Sequence, residues 1–151
     1  MKFARSQSGF TLLEIMVVVV IIAIMTAAIA PQILGEADKA KQVRVKSDII
    51  ALENALERYK LDNHTYPTTE QGLDALVKKP DSAPEPRNYK DGGYIARLPN
   101  DPWDNPYQYV IPGENGHKFD IYSFGGDGAP GGEGEGADIG NWNLDQDDKK
   151  H

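Results

Sequence analysis

The chain has 151 residues, no cysteine and a formal net charge of −7, with 16 Lys+Arg against 23 Asp+Glu. The missing thiols exclude a disulfide, a zinc–thiolate centre and a cysteine nucleophile. The acidic balance argues against a nucleic-acid partner, which needs a basic face.

Residues 1–9, Met-Lys-Phe-Ala-Arg-Ser-Gln-Ser-Gly, form a short basic leader. Phe10 to Ala30 then gives 21 residues whose one charge is Glu14. As a helix rising about 1.5 Å per residue, this run spans roughly 31 Å, the thickness of a bilayer core. One reading is a cleaved signal, with Thr26-Ala27-Ala28-Ile29-Ala30 as its small-residue site, or a simple anchor. Glu14 argues for more. An acid at the centre of a membrane helix costs about 2.5–3.5 kcal/mol, less near an end, and such acids usually face a partner. Cleavage between Gly9 and Phe10 would create an α-amine four residues before Glu14. That amine can pair with Glu14 of a neighbouring copy, neutralising both charges and setting an axial stagger. Flanking charge leaves the orientation ambiguous, with Lys2 and Arg5 on one side and Lys39, Lys41, Arg44 and Lys46 on the other.

Pro31 is expected to kink the helix, because it removes a backbone donor and clashes with the preceding turn. Val45, Ile49, Leu52, Leu56 and Tyr59 then recur at helical spacing and form one apolar stripe. Lys46, Asp48, Glu53, Glu57 and Lys60 lie opposite. The stripe is too short for a sustained coiled coil and predicts packing against the chain's own head. The helix should end near Asp62-Asn63, before Tyr66-Pro67.

Thr68 and Gln71 have capping-box spacing and predict a second helix with Leu73, Leu76 and Val77 on its apolar side, ended by Lys79-Pro80. A Pro- and Gly-rich loop follows over 80–93, and Pro99, Pro102 and Pro106 keep the next segment irregular. Two strands, Tyr107–Ile111 and Lys118–Ser123, flank the turn Pro112-Gly113-Glu114-Asn115-Gly116. A third short strand is expected around Asn141-Trp142-Asn143. A long helix covered by a small antiparallel sheet gives an α+β fold.

Residues 125–140 hold eight glycines in sixteen, with Asp127, Glu133, Glu135 and Asp138. A floppy linker is one reading. The segment lies between strand candidates, however, and long structureless loops are functional or disordered. Acids among glycines suit calcium, which takes six to eight oxygen ligands including backbone carbonyls. The EF-hand pattern is absent, and the single Gly131-Gly132-Glu133-Gly134-Glu135-Gly136 cannot stack as a repeat. No nucleophile motif, phosphate loop or zinc signature occurs, so no enzyme activity is expected. Asp101 and Asp104 flank Trp103; paired carboxylates are one reading, and acids that anchor a turn are the expected one. Asn63-His64-Thr65 matches a glycosylation triplet by chance spacing.

Gly9-Phe10-Thr11-Leu12-Leu13-Glu14, behind a basic leader and before an apolar run, resembles the processing motif of type IV pilins and pseudopilins. In that superfamily a prepilin peptidase cuts after the glycine and methylates the new phenylalanine. Tyr66-Pro67-Thr68-Thr69-Glu70-Gln71-Gly72-Leu73, Gly93-Tyr94-Ile95, Leu98-Pro99-Asn100-Asp101-Pro102-Trp103 and Ala137-Asp138-Ile139-Gly140-Asn141-Trp142 resemble the major pseudopilins of type II secretion systems.

The resemblance covers essentially the whole chain and implies a type IV pilin-like fold. Residues 1–9 would be a cleaved leader, 10–30 a transmembrane and filament-core helix, 31–63 its amphipathic continuation, and 64–151 a periplasmic head. It implies a single-pass protein of the bacterial inner membrane that polymerises into a helical homo-oligomer, the periplasmic pseudopilus that drives export of folded proteins. Minor pseudopilins and an inner-membrane assembly platform would be its partners. It also implies one calcium ion, held by the Asp127 and Asp138 side chains, with oxygens from Phe124, Ala129 and Glu135. A type IV pilus subunit and a membrane-tethered calcium-dependent binding module are the alternatives.

Overall fold

The structure, a computed structural model, describes residues 9–144, with the side chains of residues 28–34 left aside. The leader before Gly9 lies outside the described residues. The chain divides into two compact units, residues 1–39 and 40–151.

From Leu12 onward the first unit is helical. Helix α1 spans Leu12–Asn63 and includes Pro31. Thr11 starts it: the Glu14 backbone N–H donates to Thr11 Oγ1 at 3.2 Å. This satisfies one of the end donors that an α-helix leaves unpaired. The large apolar side chains from Phe10 to Met25 are 46–80% exposed, so nothing among the described residues covers them. Among the described residues, no helix is long and apolar enough to cross a membrane. The apolar run read as residues 10–30 has described side chains only through Ala27.

The second unit is built on the C-terminal half of α1. Val45, Ile49, Leu52, Leu56 and Tyr59 are buried, with no more than 2% exposure. They join Leu73, Leu76, Tyr94, Tyr107, Tyr109, Phe119 and Ile121 in one core cluster. The helix ends at Asn63, and His64 adopts a left-handed φ of 66° with its N–H donating to the Lys60 carbonyl. Asn63 is buried. Its amide donates to the Tyr59 carbonyl and the Tyr94 hydroxyl, and its Oδ1 accepts from the Asn88 N–H. The glycosylation triplet is therefore a helix end, closed to a transferase.

The capping box forms, but the helix behind it does not. Thr68 N–H donates to Gln71 Oε1 and Gln71 N–H to Thr68 Oγ1, each at 3.1 Å. Gly72 then takes φ +61°, which breaks an α-helical path. Beyond Gly72 the chain makes only one 3-10 turn, Leu73–Leu76, which buries Leu73, Ala75 and Leu76.

Strands β1 (Gln108–Val110), β2 (Asp120–Ser123) and β3 (Ile139–Gly140) make one antiparallel sheet in the order β1-β2-β3. Tyr109 pairs with Ile121, and Tyr122 pairs with Gly140. All three are shorter than the sequence suggests. Asn141, expected in the third strand, comes just after β3. Its N–H still donates to the Ile121 carbonyl, and its side chain donates to Glu53 Oε1 on α1. Tyr107 Oη donates to Asp48 Oδ2 at 3.0 Å, tying the β1 side to the same helix.

Candidate functional sites at the helix start and the glycine-rich loop

Gly9 and Phe10 precede α1 and are exposed, Phe10 by 78%. Glu14 is exposed as the third residue of the helix. Thr11-Leu12-Leu13-Glu14 is a Thr-x-x-Glu pattern, and the Thr11 half of that cap is formed. Sequence alone assigns Glu14 a cost in a membrane and a candidate partner in a neighbouring copy's amine. The capping spacing gives the acid a second, local role, near the positive end of the helix dipole.

The glycine-rich loop leaves β2 at Ser123. Its first turn is a 3-10 segment, Gly125–Asp127, and a second is Gly134–Gly136. The two approach closely. A Cβ on Gly125 (φ +69°) would lie 2.7 Å from the carbonyl oxygens of both Glu135 and Ala137. A Cβ on Gly136 would lie 2.8 Å from Asp127 Oδ2. Glycine at these two positions lets a carboxylate and a row of carbonyls crowd one short stretch.

Asp127 and Asp138 are the two carboxylates that accept backbone N–H groups within the loop. Asp127 Oδ1 accepts from the Ala129 N–H at 3.1 Å, and Asp138 Oδ2 accepts from the Gly131 N–H at 2.9 Å. Asp138 Oδ1 is buried without a hydrogen-bond partner. An unpaired buried carboxylate oxygen is expensive and calls for a cation or an ordered water. Asp138 also lines a cleft of about 320 Å³ with Asp120, Tyr122, Phe124 and Trp142. Burial first, then the Asp138 charge, raises the Tyr122 hydroxyl above its ordinary range.

Glu135 is placed differently. Its carboxylate meets the Lys41 ammonium at 2.6 Å, while its carbonyl faces Gly125. Phe124 precedes the first turn, and its ring packs edge-on against Tyr122 at 5.2 Å. Among the described residues, no three His, Cys, Asp or Glu side chains gather as a metal cluster. A cation here would therefore rely on Asp127, Asp138 and backbone carbonyls. That hard-oxygen donor set fits calcium and suits neither zinc nor copper.

Asp101 is not paired with Asp104 for chemistry. It is 2% exposed and accepts from the N–H groups of Trp103 and Asn105 and from Ser123 Oγ, the last at 2.5 Å. It anchors a turn and fastens that turn to β2.

The family profile described as "Type II secretion system (T2SS), protein G" matches residues 32–142, which include the core stripe and the loop. The chain belongs to the type II secretion system protein G family. A second profile, the prokaryotic N-terminal methylation motif, matches residues 4–30. The type II secretion system core protein G of Vibrio cholerae is 60% identical, covering 95% of this chain and 97% of that one. The corresponding protein of Aeromonas hydrophila is 62% identical over 93% of this chain and 95% of its own. That of Escherichia coli K12 is 51% identical over 99% of this chain and 100% of its own. The crystal structure of the major pseudopilin from the type 2 secretion system of enterohaemorrhagic Escherichia coli superposes with a TM-score of 0.66. It is 55% identical and covers 72% of this chain and 92% of that one.

Proposed function

We propose that this protein G family member is the major pseudopilin of a type II secretion system, a structural subunit that polymerises into a periplasmic filament and drives export of folded proteins. The observation that carries the reading is the pairing of a methylation-type N-terminus with an exposed apolar helix start that no described residue covers. Prepilin peptidase would cut between Gly9 and Phe10 and methylate Phe10. The apolar helix would first sit in the inner membrane in a single pass, with the head in the periplasm, and then bury itself among copies in the filament. Glu14 of one copy would pair with the Phe10 amine of its neighbour. Minor pseudopilins and the inner-membrane platform would be the assembly partners. This role asks no catalysis of the chain.

The loop would hold one calcium ion through Asp127 and Asp138, with oxygens from Phe124, Ala129 and Glu135. Calcium would supply a multivalent cross-link among loop oxygens, replacing the staple that a cysteine-free chain lacks. The unpartnered Asp138 Oδ1 supports this. Electron microscopy of cells overproducing the chain tests the main reading. Thin filaments that depend on Glu14 are expected, and their absence in an assembly-competent host would overturn it.

A further inference from the structure

The apolar stripe of α1 does not end at Val45. Lys41, four residues earlier, continues the same face, where the core gives way to the glycine-rich loop. Its ammonium lies 2.6 Å from Glu135 Oε1 and 5.6 Å from the centre of the Trp103 ring. Its side chain is 34% exposed and that of Glu135 is 49% exposed. A long stem on apolar surface with its charge at the rim is the usual way a lysine closes the edge of a core. Trp103 completes the arrangement from the other side: a Cβ on Gly126 would sit 2.9 Å from its Nε1. Lys41 and Trp103 thus grip both 3-10 segments of the loop, one through Glu135 and the other through Gly126.

We infer that Lys41 is a positioning residue for the cation loop. It holds the Glu135 carboxylate outside the site, so that Glu135 presents its carbonyl and not its side chain. Through that hold, cation binding in the loop is coupled to the adjacent turn of α1. This rests on the proposal that the loop binds calcium. The pair is too exposed to contribute much to global stability. Its effect falls on the loop, which is preorganised when Glu135 is held and must be ordered at binding when it is released.

The test uses the full-length chain in detergent, titrated with calcium and followed by tryptophan fluorescence, since Trp103 and Trp142 flank the loop. Lys41→Ala should weaken calcium affinity about threefold to fivefold, the upper part of what one partly exposed ion pair contributes. Its melting temperature in chelator should match the wild type. Lys41→Arg should restore affinity, and Lys41→Ala should have no further effect in a Glu135→Gln background. A calcium-responsive wild type with an equally responsive Lys41→Ala would overturn the inference alone. Equal loss of melting temperature with and without calcium would do the same, by reducing Lys41 to a general stabiliser. A wild type indifferent to calcium would overturn the calcium reading and this inference with it.

Discussion

The Glu14 backbone N–H donates to the Thr11 hydroxyl across 3.2 Å, so the acid proposed to pair between subunits also closes the first turn of its own helix. The two roles use different atoms, since capping takes the Glu14 amide and pairing takes its carboxylate. Glu14→Leu keeps the amide and should leave helix content by circular dichroism unchanged while filaments and secretion are lost. Thr11→Ala should do the opposite, loosening the helix start by about 0.5–2 kcal/mol without abolishing assembly. Normal secretion from Glu14→Leu would remove the pairing mechanism.

The unpartnered Asp138 Oδ1 makes the loop the place where divalent cation should matter most. Calcium at 100 times its dissociation constant should add about 2.7 kcal/mol to the stability of the folded chain. Thermal melting in calcium and in chelator checks this. Asp138→Asn should remove most of the calcium-dependent rise, and Asp127→Asn should do the same, whereas Glu133→Gln should not. A melting temperature blind to calcium would count against a metal in the loop.

Features written in a local period were legible in the sequence. The stripe from Val45 to Tyr59 and the α1 end at Asn63 came from helical spacing alone, and both are where the pattern put them. The capping box at Thr68 was also legible, but the α-helix inferred from it was not there. Gly72 at φ +61° sits one residue past the box and outweighs the apolar spacing of Leu73, Leu76 and Val77. The strands were shortened at ends where proline and the hairpin turn intervene. Contacts between residues distant in sequence stayed hidden. Lys41 and Glu135 are 94 residues apart, and Asp101 and Ser123 are 22 apart. No window shows such pairs, so Asp101 read as one acid among several and Lys41 as a flanking charge.

Asp101 should be among the most sensitive positions in the head. Replacing it with alanine would strand the Trp103 and Asn105 N–H groups and the fully buried Ser123 hydroxyl together. Hydrogen bonds to a charged group contribute about 1.5–3 kcal/mol each, and a buried donor left unpaired costs about 1–3 kcal/mol. Asp101→Ala should therefore destabilise the chain by about 3 kcal/mol or more, while Ser123→Ala, which leaves the buried Gly125 N–H without the hydroxyl that accepts from it at 3.0 Å, should cost less, about 1–3 kcal/mol. Urea unfolding of both variants compares them. Equal effects would mean that Asp101 does not anchor its turn through the amides.

All seven tyrosines are raised above their ordinary range, which makes the fold sensitive to base. Burial is the first cause at each. At Tyr66 the Glu57 carboxylate, which accepts from its hydroxyl at 2.6 Å, adds to burial, and the hydroxyl is pushed up to about 12. Tyr107, beside Asp48, and Tyr109 are raised as well. An unfolded tyrosine ionises near pH 10, before these folded ones do. Between the two values the unfolded chain binds fewer protons than the folded chain, so stability falls as pH rises. The contribution is complete below about pH 10 and should be lost progressively from there through about 12. Denaturant midpoints should stay level on the neutral side of that window and drop inside it. Tyrosinate absorbance should lag behind that of the unfolded chain until the fold opens. Tyr66→Phe should flatten part of the drop, because it deletes one late-ionising group. A midpoint that held steady across the window would show that the hydroxyls ionise without straining the fold.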